Sequence, residues 1–316
     1  MEDYPRTTTE FEDRFASEEA CRRYLYTLRW PNGFVCPQCG GTLCWEMRDG
    51  RYLCRHCRYQ ASLTAGTVFQ DMRKPLRLWF QAIWYVTSQK NGVSALGLQR
   101  VLGLGSYHTA WTWLHKLRRA MVRPGRDRLG GTVEVDETFI GGKRQGLRGR
   151  SLEGKSLVLV AAEEVEPDVI GRIRLRRIDD GSAASLRPAV QECVEPGSEV
   201  RTDGWNGYAG LGGLGYRHTV RPGAAQPGET LLPLVSLVAS LLKRWLLGTH
   251  QGAVRSTHLD YYLDEFTFRF NRRTSRSRGK LFYRMVEQAA AAAPAPAKTL
   301  RADRGRQTPD TRGCSG

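Results

Sequence analysis

The chain has 316 residues, 41% of them hydrophobic, and sets 48 Lys and Arg against 32 Asp and Glu for a formal net charge of +16. That length and apolar content allow two or three domains with buried cores, and the basic excess points to a polyanionic partner, nucleic acid first. The N-terminus lacks the apolar core of a secretory signal, and the longest apolar run, Leu231 to Leu242, is too short to span a bilayer. A cytoplasmic protein with no membrane partner is expected.

Residues 1–30 read as a helical lead-in and residues 31–62 as a zinc ribbon. Cys36-Pro-Gln-Cys39 and Cys54-Arg-His-Cys57 each turn a knuckle that aims two thiolates at one point, and the segment between them is long enough to return as a hairpin. A redox pair is the alternative for one such motif; two in tandem favour structural Zn²⁺ on Cys36, Cys39, Cys54 and Cys57. Gly40-Gly41 relieves the first turn. Cys44 and His56 read as spectators, and Cys21, Cys193 and Cys314 as free thiols.

Residues 63–124 read as helical. One helix begins near Pro75 with Leu76-Arg-Leu-Trp-Phe. A second covers Val93 to Leu102, Gly103-Leu-Gly105 breaks it, and Ser106 caps a third in which Ala110, Trp111, Leu114 and Leu117 share a face. This is the outline of a helix-turn-helix, with Lys116, Arg118 and Arg119 as candidate DNA contacts away from the apolar stripe. A helical hairpin that only packs uses the same glycine turn.

From Gly131 the pattern alternates. Strands are predicted over 132–140, 156–164, 170–178 and 199–203, with a helix over 183–194 before the last. Three strands, a helix, a fourth strand and then helices is the order of a ribonuclease-H-like fold, here assigned to residues 125–290. The fold class is therefore multidomain α+β: zinc ribbon, helical segment, and an α/β domain with a mixed sheet. In that architecture the first and fourth strands are neighbours, so Asp136 and Asp203 meet and can hold divalent metal for phosphodiester chemistry. Taken singly, each aspartate reads as an ordinary turn residue beside glycine.

At this point the chain resembles the IS1595-type insertion-sequence transposases, in the branch related to ISXO2. The resemblance runs from about Phe11 to about Ala290 and rests on Arg29-Trp-Pro-Asn-Gly-Phe-Val-Cys-Pro-Gln-Cys-Gly40, Leu102-Gly-Leu-Gly-Ser-Tyr-His-Thr-Ala-Trp111, Val133-Glu-Val-Asp-Glu-Thr-Phe-Ile-Gly-Gly142, Thr202-Asp-Gly-Trp-Asn-Gly-Tyr208, Leu242-Lys-Arg-Trp-Leu-Leu-Gly-Thr-His-Gln-Gly252 and Glu265-Phe-Thr-Phe-Arg-Phe-Asn-Arg-Arg273. It implies a bacterial, nucleoid-associated DNA transposase that binds the terminal inverted repeats of its element, cuts there and joins the ends to target DNA, with a homodimer formed on double-stranded DNA.

Asp136 and Asp203 match the family's first two metal-binding acids, for two Mg²⁺ or Mn²⁺ ions, and Lys243, followed by Arg244, matches the basic residue after the third catalytic position. That position, seven residues before Lys243, is typically Glu, Asn or His; here it is Ser236. The expectations are an impaired enzyme, a water-bridged second metal, or replacement by Glu229 or Glu265, with Glu265 otherwise a solvated helix acid. Arg272 and Arg273 are expected to clamp phosphates while the neighbouring phenylalanines pack. Residues 291–316 read as a disordered tail. The alternative function is a non-catalytic zinc-ribbon and helix-turn-helix DNA-binding protein derived from a transposase.

Overall fold

The computed structural model describes residues 2–122, 125–141, 155–221, 230–252, 254–296 and 300. In chain order the elements are α1 (Thr8–Arg14), α2 (Glu18–Arg29), β1 (Cys44–Glu46), β2 (Tyr52–Cys54), β3 (Gln60–Ala61), α3 (Leu76–Ser88), α4 (Ala95–Leu102) and α5 (Tyr107–Ala120). There follow β4 (Thr132–Ile140), β5 (Ser156–Glu166), β6 (Val169–Ile178), α6 (Ala183–Cys193), β7 (Glu199–Thr202), β8 (Arg217–Val220), α7 (Pro233–His250), α8 (Leu259–Phe270) and α9 (Arg278–Ala291). They divide into two compact units, one from residues 1–124 with 275–302 and the other from 125–274.

The first unit closes around one aromatic side chain contributed from far along the chain. Phe282 on α9 has ring centroids of Phe11, Phe15, Phe80 and Trp84 within 5.3 to 5.8 Å of its own. It is fully buried, and such edge and tilted contacts add to the large area that aromatic rings remove from water. This differs from the expected boundary at residue 290, because the apolar face of α9 has its complement in α2 and α3 of the N-terminal unit. Of the expected tail, residues 291–296 and Leu300 are described, and Ala295 and Leu300 are buried; the remainder lies outside the described residues.

The two helices of the expected helix-turn-helix are present: Ser94 and Ser106 each accept an amide of their helix's first turn, and Gly103 ends α4 with a φ of 60°. The outward face of α5 differs from expectation. Lys116 and Arg118 are 9% and 1% exposed, with the Lys116 ammonium directed at the Gln70 carbonyl, 3.4 Å away, and near the Trp79 ring. Arg118 lies 3.4 Å from His115 Nε2. Long aliphatic stems let both residues pack along an apolar helix, so neither presents its charge outward as a DNA contact would, while Arg119 is half-buried.

The second unit is a five-stranded mixed sheet in the order β6-β5-β4-β7-β8, in which β4, β5 and β6 are antiparallel neighbours and β7 and β8 run parallel to β4. Side chains alternate between two cores. Val133, Val135, Leu157, Leu159 and Ala161 face one cluster with Leu186 and Val190 of α6. Val158, Val160 and Ala162 face the other, with Leu234, Val235, Val238 and Leu242 of α7 and Leu263 and Phe266 of α8. The nearly continuous apolar run of β5 follows from its burial on both faces. Sequence patterning anticipated four strands; β8 escaped it, being four residues long and mostly exposed.

The end of α8 seals the outer edge of β6. Asn271 accepts the Ile173 amide at 2.8 Å and donates to the Ile173 carbonyl at 3.2 Å, and the Arg273 guanidinium donates to the carbonyls of Ile170 and Gly171. The side chains thus act as a neighbouring strand would on an otherwise open edge. Arg273, expected to clamp phosphate, directs donors at this edge, and Arg272 lies over the Phe268 ring at 4.1 Å. Asn271→Ala should cost about 1–3 kcal/mol by leaving the Ile173 groups without it, read as faster hydrogen exchange at the Ile173 amide; unchanged protection would show that the edge is held by something else.

Candidate functional site

Two sets of residues converge. In the first unit, β1 and β2 pair with Cys44 opposite Cys54 and β3 completes a small antiparallel sheet. The chain turns through both knuckles in the same way: the Gly40 amide donates to the Cys36 carbonyl and the Arg58 amide to the Cys54 carbonyl. Gly40 and Arg58, each one residue past the second cysteine, take φ values of 71° and 64°. A side chain on Gly41 would come within 3.3 Å of His56 Cβ and 3.4 Å of Cys39 Sγ, so the second glycine keeps the knuckles together.

Cys36 Sγ lies 3.6 Å from Cys57 Sγ and Cys39 Sγ lies 3.7 Å from Cys54 Sγ, with all four sulfurs within 4.8 Å of one another. A zinc ion with bonds of about 2.3 Å sets tetrahedral sulfurs roughly 3.8 Å apart, so the spacing fits the metal. The Cys54 thiol is pulled down to about 6, chiefly by the Cys57 amide, whereas Cys57, despite the Tyr59 amide, is pushed up to about 12 by desolvation and the neighbouring thiols. Four thiolates at this spacing require a cation. The cluster supports a structural zinc ion, and Cys44 and His56 are not members of it.

The second set sits midway along β4 and just past the end of β7. Their parallel register pairs Thr132 with Glu199, Val133 with Val200 and Glu134 with Arg201; two residues further on, Asp136 lies within β4 and Asp203 directly follows the last residue of β7. The register therefore brings the two aspartates level and onto one face, the face covered by α7. Burial holds the Asp136 carboxyl above the usual carboxylate range; the Glu137 amide opposes the shift, the Asp203 charge adds to it, and the Lys243 ammonium opposes it. Lys243, exposed on α7, lies near enough for its charge to act on Asp136.

The loop after β7 is held rigidly. Asp203 Oδ1 accepts the Trp205 amide at 2.9 Å, and the Trp205 indole donates to the Gly181 carbonyl at 2.7 Å. A Cβ on Gly207 would lie 2.4 Å from that same carbonyl oxygen, so only glycine fits. Tyr208, fully buried, donates to Glu137 Oε2 at 2.5 Å. The Asp-Gly-Trp-Asn-Gly-Tyr run is a scaffold for one carboxylate.

Ser236 is half-buried in the first turn of α7, two turns before Lys243. Glu265 is 1% exposed and its carboxylate pairs with Arg269 at 2.9 Å; the expectation of a solvated acid is overturned. It lies on α8, which packs against β6, two strand spacings or about 10 Å from β4. Glu229 lies outside the described residues. Arg244 is exposed on α7.

Sequence reasoning missed Glu134, Glu137 and Tyr208. Glu134 is buried, and its Oε2 accepts the amides of Leu234 at 2.8 Å and Val235 at 3.2 Å. Its signal was in the sequence: in an alternating strand it shares the inward parity of Asp136 and Ile140.

The four-cysteine cluster and the mixed-sheet α/β unit that follows it correspond to the two modules of a transposase. The transposase zinc-ribbon domain family matches residues 16–60, and the ISXO2-like transposase domain family matches residues 128–271. A protein of Halobacterium salinarum, named as an uncharacterized protein in transposable element ISH50, is 28% identical over 279 residues, covering 81% of this chain and 91% of the relative. The chain belongs to the IS1595-type transposases. Among the described residues no helix is long and apolar enough to cross a membrane.

Cys54→Ser should abolish stoichiometric zinc, because a metal of this kind supplies about 10–16 kcal/mol to the folding of a small ribbon. Atomic absorption on the purified chain checks it; full zinc content in the variant would contradict the four-cysteine site.

Proposed function

We propose that the protein is a DDE-type transposase that binds the inverted repeats of an insertion sequence as a homodimer on double-stranded DNA, cleaves the strands and transfers them to target DNA. The observation that carries this reading is the parallel β4–β7 register, which levels Asp136 with Asp203. The strand order β6-β5-β4-β7-β8, with α7 over the β4 end, supports a ribonuclease-H-like assignment of this unit. The net charge of +16 supports the DNA partner.

The donor set fits a hard divalent cation: Asp136 and Asp203 offer carboxylate oxygens, and Glu137, held by the Tyr208 hydroxyl, lies near enough to feel both of their charges. Asp136 and Asp203 would hold Mg²⁺ or Mn²⁺, which when bound would supply Lewis-acid activation for attack by water or a 3′-hydroxyl on a phosphodiester. Lys243 holds a DNA phosphate against the two carboxylates, Arg244 extends the basic face of α7, and the tight turn at Trp205 keeps Asp203 from rotating away. Asp136→Asn and Asp203→Asn should each abolish Mg²⁺-dependent cleavage while leaving end binding intact or slightly tighter, since negative charge facing DNA is removed. Gel-shift and strand-cleavage assays on one labelled element end read both; cleavage by either variant would remove that aspartate from the mechanism.

Ser236 favours a second reading, a DNA-binding derivative with weak or no catalysis, because a hydroxyl is a poor ligand beside two carboxylates. On the first reading Ser236→His or Ser236→Glu, two turns from Lys243, should raise cleavage by roughly 10- to 100-fold, the usual range for restoring a group that supports a metal site, without changing affinity for the ends. No cleavage by the wild type and by both variants, with end binding retained, is the outcome of the second reading.

A further inference from the structure

Helix α7 carries Ser236 and Lys243 but has no cap of its own. Leu232 stands at its N-cap position and offers no side-chain acceptor, whereas α4, α5 and α9 are capped by Ser94, Ser106 and Ser277. The amides of its first turn have no acceptor within the helix. Ser236 makes the first intrahelical bond, to Leu232 at 3.2 Å. The amides of Leu234 and Val235 instead reach one oxygen of Glu134, a residue 2% exposed, on β4 and a hundred positions away in sequence.

We propose that Glu134 is a positioning residue for the catalytic site: it fixes the height and rotation of α7 on β4 so that position 236 faces Asp136. The inference rests on the transposase reading of that site. The apolar contacts of Leu234, Val235, Val238 and Leu242 hold the helix to the sheet and turn its apolar stripe inward, but burial is non-directional and leaves the finer rotation and height loosely set. Two N–H···O bonds from consecutive residues to one carboxylate oxygen set both. Glu134 makes these bonds two residues before Asp136 on the same strand face, and Val235 makes one of them immediately before Ser236. The distance from the first aspartate to the third position is thereby tied through a single side chain. Glu134 touches neither metal nor DNA in this account.

The test uses the full chain and Mn²⁺ as the probe, with affinity measured calorimetrically. Ser236→Glu is made alone and combined with Glu134→Gln, which keeps an acceptor oxygen of the same reach, or with Glu134→Ala, which has none. The Ser236→Glu change should tighten Mn²⁺ binding by about tenfold in the wild-type and Glu134→Gln backgrounds, and that gain should be lost in Glu134→Ala. Should Glu134→Ala not fold, Glu134→Asp, shorter by one methylene, takes its place with the same expected loss. An equal gain in every background overturns the positioning role and leaves Glu134 a stabilising residue only. If Ser236→Glu tightens binding in no background, the metal-site reading is what fails, and hydrogen exchange decides the role of Glu134: faster exchange at Leu234 and Val235 in Glu134→Ala supports it, and unchanged exchange overturns it.

Discussion

The parallel pairing of β4 with β7 is the constraint on which the second unit depends. Parallel neighbours cannot be joined by a tight turn, so the chain must leave and return. It does so through β5, β6 and α6, and the crossing closes where Leu129 bridges Val194 beside the start of the ladder. Only then do residues 136 and 203 stand at one level. Side-chain alternation, counted from the same register, assigns Asp136 and Asp203 to the face beneath α7 and Val133, Val135 and Val200 to the core beneath α6.

Around that pairing, the sequence blocks that mark the family divide between chemistry and support. Asp136, Asp203 and Lys243 carry the candidate chemistry. The residues after Asp203 form a brace, in which the Trp205 indole and the bare Gly207 backbone both meet the Gly181 carbonyl. The block ending in Asn271-Arg-Arg273 closes an open strand edge with side-chain groups, a solution that a basic, polar tripeptide does not advertise. In the first unit, the ribbon's second glycine is needed because two knuckles and a histidine crowd the same point.

Legibility in the sequence followed the range of the interaction. The four ribbon cysteines were legible because their spacing is itself the geometry of the site. Strands β4 to β7 were legible because period-two alternation and apolar runs are local. Glu265 was misread because its burial depends on how α8 packs, and a charged residue beside aspartate looks solvated until its Arg269 partner is seen one turn away. Lys116 and Arg118 failed for a related reason: a helix with charged residues off its apolar stripe normally exposes them, and α5 is instead buried around most of its circumference. Glu134 was invisible because its partners, the first amides of α7, lie a hundred residues away. The placement of α9 in the first unit likewise rests on Phe282 meeting the rings of Phe11, Phe15, Tyr24, Phe80 and Trp84, all far from it in sequence.

The proposed chemistry requires Asp136 and Asp203 to share one ion. A crystal of the chain grown or soaked with Mn²⁺ and measured for anomalous scattering tests this directly. A shared site would give a peak with an oxygen of each aspartate within about 2.2 Å, on the face covered by α7. Mn²⁺ held elsewhere, with these two carboxylates turned apart, would contradict it.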